Sequence, residues 1–397
     1  MKKAVEQTSK PTAFQPILAL DLVRACAAIM VFLVHARGGT WIHYGGLPPD
    51  QQTPLTFAFF FITRLGHEAV LVFFVLSGFL VGGRLIDRVR ADSFRILDYA
   101  LDRITRILVP LVPACIFTVL LNRVVFSEPI SLGQTLLNMV GLNHGLLAQT
   151  LNNNAPLWSL AYEIWFYIAG GATAALLMGL RPISAFLVIG ISGLVFAQLG
   201  EAYLIFWIMG SLTALIRGTR HRSMLFAIGI IAVAIGTLAY QLGSGSKSTT
   251  VVAFMPEKVA EALLCLGFCL CIPVLHSIKL NHWLSPFSKI ITFASAMSYS
   301  LYLFHYPILS VLNLAVFPQY TRIDYESLGV FALKIGVTLG ICAALYFTFE
   351  RNTQLVRTFL KSTPASAMAG PWKWLRMTNL GQAEPTGSTD RNTPSKT

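Results

Sequence analysis

Charge is scarce in this chain. Of its 397 residues only 12% are Asp, Glu, Lys or Arg, against roughly 25% in a soluble globular domain. Acidic residues are the scarcer sign, 18 against 30 basic. With 55% hydrophobic residues and a mean hydropathy of +0.64, the deficit excludes an ordinary soluble domain and points to a membrane. Metal and redox motifs are absent too. The six cysteines (Cys26, Cys115, Cys265, Cys269, Cys271 and Cys342) lie in apolar segments without CxxC or Cys/His spacing, so no disulfide and no metal site is expected. No internal repeat is visible, and no extra soluble domain is expected. The net charge of +12 alone would suit nucleic acid or anionic lipid, but in a membrane protein the placement of the basic residues decides, and no nucleic-acid partner is expected.

Long apolar runs are what the chain does have. Stretches of roughly 17–25 apolar residues are membrane-helix candidates, and ten are predicted: 16–36, 62–83, 107–125, 157–179, 183–199, 202–216, 224–242, 258–276, 292–316 and 328–349. The first is longer than a signal-peptide core and carries Arg24, so it reads as a retained helix. With the N-terminus inside, cytoplasmic segments hold 22 Lys and Arg and the opposite side 6, with Arg24 and Lys334 within helices. The positive-inside bias therefore predicts cytoplasmic termini. The expected fold is all-α and polytopic: a tail over 1–15, a ten-helix membrane domain over 16–350, and a cytoplasmic tail over 351–397, disordered after about residue 380 because it is polar and aperiodic. The stretch "PWKWLRM" (Pro371 to Met377) suits the headgroup interface. Outer loops are expected over 37–61 and 126–156, and a basic inner loop over 84–106.

Polar residues inside such segments are costly and mark function. In "DLVRACAAIMVFLVHA" (Asp21 to Ala36), Arg24 and His35 are eleven positions apart. This sets them within roughly 20° of one helical face and about 16 Å apart along the axis, Arg24 inside and His35 outside. Snorkelling of Arg24 beside Asp21, and an interfacial His35, are the plainer alternatives. In "VLVFFVLSGFLVGGRLI" (Val70 to Ile86), the glycines and Ser77 permit close helix approach before Arg84 opens the basic loop. Arg103 and Arg106, in "LDRITRILVP", suit phosphate oxygens or plain anchoring, and local sequence leaves both open. In "APLWSLAYEIWFY" (Ala155 to Tyr167), Trp158 and Tyr162 belong to one stripe and Ser159, Glu163 and Tyr167 to the next. A carboxylate at the depth of Glu163 must be paired, protonated or functional. "SYSLYLFHYPIL" (Ser298 to Leu309) carries Tyr302 and His305, the latter just before Pro307. Glu350 and Arg351 are expected to pair with each other at the inner surface.

Taken in order, R-x10-H, "FFVLSGF", "RxxR-I-L-V-P", "LWSLAYEIWFY" and "SYSLYLFHYP" resemble the acyltransferase-3 family of bacterial integral-membrane O-acyltransferases over about residues 15–350. The resemblance implies a ten-helix core in the bacterial inner membrane. It implies transfer of acetyl or another short acyl group from cytosolic acyl-CoA, as co-substrate with no bound cofactor, to a hydroxyl of a carbohydrate such as exopolysaccharide or O-antigen. By the same resemblance His35 is catalytic with Arg24 its partner, Arg103 and Arg106 (with Arg84 beside them) meet acyl-CoA, and Trp158, Tyr162 and Glu163 line the cavity. Ser77, Tyr302 and His305 are further cavity candidates. The end of the tenth segment departs from the family pattern, with "RNT" after Glu350 where a proline often follows. The fused SGNH-type domain of some relatives is not expected.

Acyl transfer needs a base for the hydroxyl proton, for which neutral histidine is suited, and a donor for the developing oxyanion. On this reading Glu163 orients His35, and Trp158 or Tyr162 stacks on a sugar ring; an acyl-histidine intermediate would use the same residues. The alternative is a proton-coupled or lipid-linked sugar transporter, which uses intramembrane His, Glu and Arg equally well but commonly shows inverted repeats and broken helices. A scaffold in a glycan-assembly complex would tolerate loss of the buried polar residues. Acyl group, acceptor and oligomeric state are not written in the sequence.

Overall fold

The computed structural model describes residues 17–200, 202–244, 255–277, 284–315 and 318–362. The N-terminal tail, the stretch Pro371 to Met377 and the tail after residue 380 lie outside these. The described residues are helical, with no strand among them and a single isolated bridge between Trp41 and Tyr320. Residues up to Thr353 form one compact unit. A second begins at Gln354, of which a short helical stretch through Ser362 is described.

Each predicted membrane segment lies on a helix: α1 (Leu18–Gly38), α2 (Pro54–Ile62), α3 (Gly66–Ser77), α4 (Gly83–Arg90), α5 (Ile96–Val125), α6 (Leu132–Met139), α7 (Trp158–Leu177), α8 (Pro182–Leu199), α9 (Ala202–Thr213), α10 (Arg222–Ser244), α11 (Glu257–Ser277), α12 (Ser288–Leu314) and α13 (Tyr325–Thr348). Among the described residues, eight stretches are long and apolar enough to cross a membrane. The other two predicted segments lie on α9 and α12. With 12 residues, α9 rises about 18 Å, short of the roughly 30 Å hydrocarbon core. In α12, serines, tyrosines and His305 replace part of the apolar surface, and most of them are buried against neighbouring helices.

Three connections differ from the sequence expectation. The outer loop 37–61 is partly helical, because the Thr53 hydroxyl caps the Thr56 amide and Pro54 sits in the first turn, so α2 begins there. The loop 126–156 contains α6, capped by Ser131. The basic loop 84–106 shrinks to 91–95, because α4 and α5 extend the membrane helices into it. Between α8 and α9 the chain turns at Gly200, whose φ of 108° suits glycine alone.

The core gathers α1, α3, α5, α7 and α12. A π turn over Gly78–Gly82 joins α3 to α4 and lies against α9. A Cβ on Gly78 would collide with the Trp207 carbonyl, and one on Gly210 with the Val75 carbonyl. Small residues on both sides thus let the backbones meet. This contact turns Ser77 and Trp207 toward α7. Beyond the C-terminal end of α1, buried Trp41 donates from Nε1 to the Arg322 carbonyl (3.1 Å). Gln51 bonds both the amide and the carbonyl of Ile323, so the segments after α1 and α12 are laced together.

Candidate active site

The site grows from the pairing of α1 with α12. The two helices run side by side in one direction and in register. Arg24 meets Ser295 (Nη1 to Oγ 3.4 Å), and eleven residues on His35 meets His305 (ring centroids 5.3 Å). The polar stripe predicted on α1 is therefore matched by one on α12.

At the level expected to lie outside, His35 is half-buried, with the Tyr306 ring edge-on at 4.9 Å. His305 is fully buried. Its Nδ1 donates to the carbonyls of Leu301 (2.8 Å) and Tyr302 (3.0 Å), as a histidine one turn along a helix can. Below it Tyr302 donates to the Pro156 carbonyl (2.6 Å) and meets the Ser159 hydroxyl at 2.5 Å. The asparagine run before α7 is structural: Asn154 donates to the Thr118 hydroxyl and the Leu303 carbonyl, fixing the loop that carries Pro156 against α12.

At the middle level a chain of donors ends on Glu163. Trp207 Nε1 donates to Ser77, Ser77 to the Tyr167 hydroxyl (3.3 Å), and Tyr167 to Glu163 (2.5 Å). Glu163 is thus bonded to Tyr167 rather than to His35, and the expected orientation of His35 by Glu163 has no hydrogen bond behind it among the described residues. The physical reason is depth. Glu163 stands level with the arginines, and Arg24 and Arg106 are both within electrostatic reach of it. Arg24 keeps its expected neighbour Asp21 (3.5 Å), and Ser295 bridges the two, donating to Asp21 at 2.9 Å.

Arg106 and Glu350 revise the sequence reading. Glu350 is buried and pairs with Arg106 (2.8 Å), not with Arg351, whose guanidinium lies over Phe347. Glu350 also accepts the amide and hydroxyl of Ser300 (2.9 and 2.6 Å). The Arg106 side chain is 42% exposed although Glu350, Tyr299, Tyr167, Glu163 and Arg24 surround it.

At the level expected to lie inside, Arg84, Arg88, Tyr99, Asp102 and Arg103 line a cleft between α4 and α5. Arg88 approaches Asp102 (3.8 Å), and Arg103 lies over the Tyr167 ring (5.3 Å) with its buried Nε unpartnered. Guanidinium groups at the rim of a cleft fit anionic oxygens.

The aromatic residues divide. Trp158 is half-buried beside His144 and Tyr203. Tyr162 is only 1% exposed and donates to the Leu199 carbonyl, so it packs α7 on α8 and lines no space. His144, in the outer loop, has its pKa lowered by partial burial. The sequence does not single out Ser295 or Tyr299, and it shows Lys334 only as a basic residue within a helix. The last is 3% exposed and donates to the Gly39 carbonyl (2.8 Å), Asn313 (2.9 Å) and Thr40 (3.4 Å). A lysine inside an apolar run was its only signal. Its ammonium faces the C-terminal carbonyls of α1, where a positive charge is favoured. Among the described residues no group of three or more His, Cys, Asp or Glu could hold a metal ion.

A family model described as an acyltransferase domain matches residues 17–347. No curated protein and no solved structure matches the chain.

Proposed function

Because the chain belongs to the acyltransferase-3 family of multi-pass membrane acyltransferases, we propose that it moves an acyl group, acetyl or another short chain, from cytosolic acyl-CoA to a hydroxyl of a cell-surface carbohydrate in the bacterial inner membrane. The observation that carries this reading is the succession of polar groups along the bundle: the basic cleft at Arg84 and Arg103, then Arg106, Arg24 and Glu163 within electrostatic reach of one another, then His35 beside His305. A transporter would use such a succession for a proton; family membership favours acyl transfer.

On this reading Arg84 and Arg103 hold the phosphates of the donor at the inner cleft. The pantetheine arm runs between α1, α5, α7 and α12, and brings the thioester toward the outer end of α1. A neutral His35 nitrogen takes the proton of the acceptor hydroxyl as its oxygen bonds to the thioester carbon. The carbon–sulfur bond then breaks, the carbonyl re-forms, and the imidazolium returns its proton to the departing thiolate. Arg24 and Arg106 supply positive charge along the path of the donor, and Glu163, bonded to Tyr167, balances it. Trp158 is the aromatic face offered to a sugar ring.

His35→Ala, checked for normal membrane insertion, should lower acyl incorporation into the host glycan at least 100-fold, in the range of lost acid–base catalysis of roughly 10²–10⁴. Mass spectrometry of surface glycans measures it and identifies acceptor and acyl group together. Undiminished transfer would remove His35 from the chemistry.

A further inference from the structure

His305 has one nitrogen accounted for and one not. Nδ1 donates to two backbone carbonyls of its own helix, which fixes the neutral tautomer with the proton on Nδ1 and leaves a lone pair on Nε2. That Nε2 is fully buried and has no hydrogen-bond partner. A buried acceptor without a donor is costly and calls for an explanation at the site where it stands. Around it stand Phe32, Tyr302, Tyr306 and His35. The Tyr302 hydroxyl is committed to Pro156 and Ser159, and Phe32 has nothing to donate.

His35 does have an N–H to donate. Two imidazoles joined edge to edge by an N–H···N bond of about 2.9 Å have ring centroids about 5.2 Å apart, whereas stacked rings lie closer. The rings of His35 and His305 are 5.3 Å apart and inclined by 32°. Their separation suits the bridge, and a rotation of the half-buried His35 ring about its side-chain bonds closes it.

We infer that His305 is a positioning residue for His35, its Nε2 lone pair accepting the His35 ring N–H and so fixing which His35 nitrogen is free to act as a base. The role is the one a carboxylate plays toward histidine in a hydrolase triad, performed by a neutral group that adds no charge at that depth. It rests on the proposed function for the use made of His35, but the pairing itself is measurable without turnover.

The experiment takes the full chain in detergent micelles with ¹⁵N-labelled histidine, His35 being assigned by loss of its signal in His35→Asn. Long-range ¹H–¹⁵N spectra report the tautomer of each ring. His35 should occupy one tautomer in the parent protein, become a mixture in His305→Phe, which keeps a ring without an acceptor, and return to one tautomer in His305→Gln, which restores an acceptor near Nε2. Acyl transfer should follow: kcat falling about 100-fold in His305→Phe with both KM values within twofold, and recovering at least tenfold in His305→Gln. If His305→Phe fails to insert, His305→Leu takes its place. A His35 spectrum unchanged by loss of the acceptor overturns the pairing. Equal losses in the Phe and Gln variants with raised KM overturn it in favour of simple packing. A tautomer shift with undiminished transfer upholds the pairing and overturns the proposed role of His35 instead.

Discussion

Arg103 and Arg106 are one turn apart on α5 and indistinguishable by local sequence, yet their surroundings separate them. Arg106 is neutralised by Glu350, whereas Arg103 lies over Tyr167 at the cleft with a buried nitrogen unpartnered. Arg103→Gln should therefore raise the KM for acyl-CoA about tenfold, the loss of roughly 1.4 kcal/mol of charge-assisted bonding, with little effect on stability. Glu350→Ala should do the reverse. It strands Arg106 and the Ser300 donors, and should cost about 2 kcal/mol, below the roughly 3–5 kcal/mol of a fully buried broken pair because Arg106 retains access to water. Donor-dependence kinetics and thermal unfolding in detergent separate the two. What was legible at this scale follows from helix geometry. The spacing of Arg24 and His35 sets them on one face because rise and turn are fixed along one helix. Their partners Ser295 and His305 lie on another helix far along the chain, as Glu350 does from Arg106, and no local period connects them. The depth of Glu163 marks it as paired, protonated or functional; the level at which it sits relative to His35 depends on how α7 is seated against α1, which only packing decides.

Helices long enough to cross a membrane announce themselves by hydropathy; every predicted segment lies on a helix, and eight of the ten lie on stretches of that length and apolarity among the described residues. What hydropathy did not convey were the amphipathic and short elements. α2 and α6 were absorbed into loops despite readable caps at Thr53 and Ser131. α9 was drawn slightly longer than its 12 residues. The glycines of the second segment were read as packing residues without a partner, and α9 is that partner. Gly78 faces backbone atoms of Trp207 and Ser211, which have no cheap way to yield. Gly78→Ala should thus destabilise the protein by about 1–3 kcal/mol, the range of overpacking in a close-packed interior. Gly336, on α13, has nothing within 4 Å of a new Cβ. Gly336→Ala should be neutral, or stabilising by up to about 1 kcal/mol through the higher helix propensity of alanine. Thermal unfolding of both variants in one detergent tests the contrast, and equal effects would mean that α3 and α9 are not in backbone contact. The contact also bears on the site, because it aims Ser77 at Tyr167 and so sets the donor chain that ends on Glu163.

For the whole molecule, function depends on which side each level of this succession faces. The proposed transfer needs the cleft with Arg84 and Arg103 to open inward, toward a cytosolic thioester donor, and His35 to lie near the outer face, toward an envelope acceptor. The split of 22 against 6 basic residues predicts that same orientation. Two exposed turns at opposite levels allow a direct test. Asp92 lies in the turn between α4 and α5, beside the cleft, and exposed Leu147 in the connection before α7, three residues after His144, whose ring meets Trp158. Five of the six native cysteines are buried, and Cys26 is in the middle of α1, so the parent protein should react little with a membrane-impermeant maleimide. Leu147→Cys should label in intact spheroplasts. Asp92→Cys should label only after the membrane is opened. The opposite pattern would put the arginine cleft on the side where no acyl-CoA is found, and the proposed direction of transfer would fall with it. His35 and His305 would then face the cytosol, and the acceptor would have to be sought there.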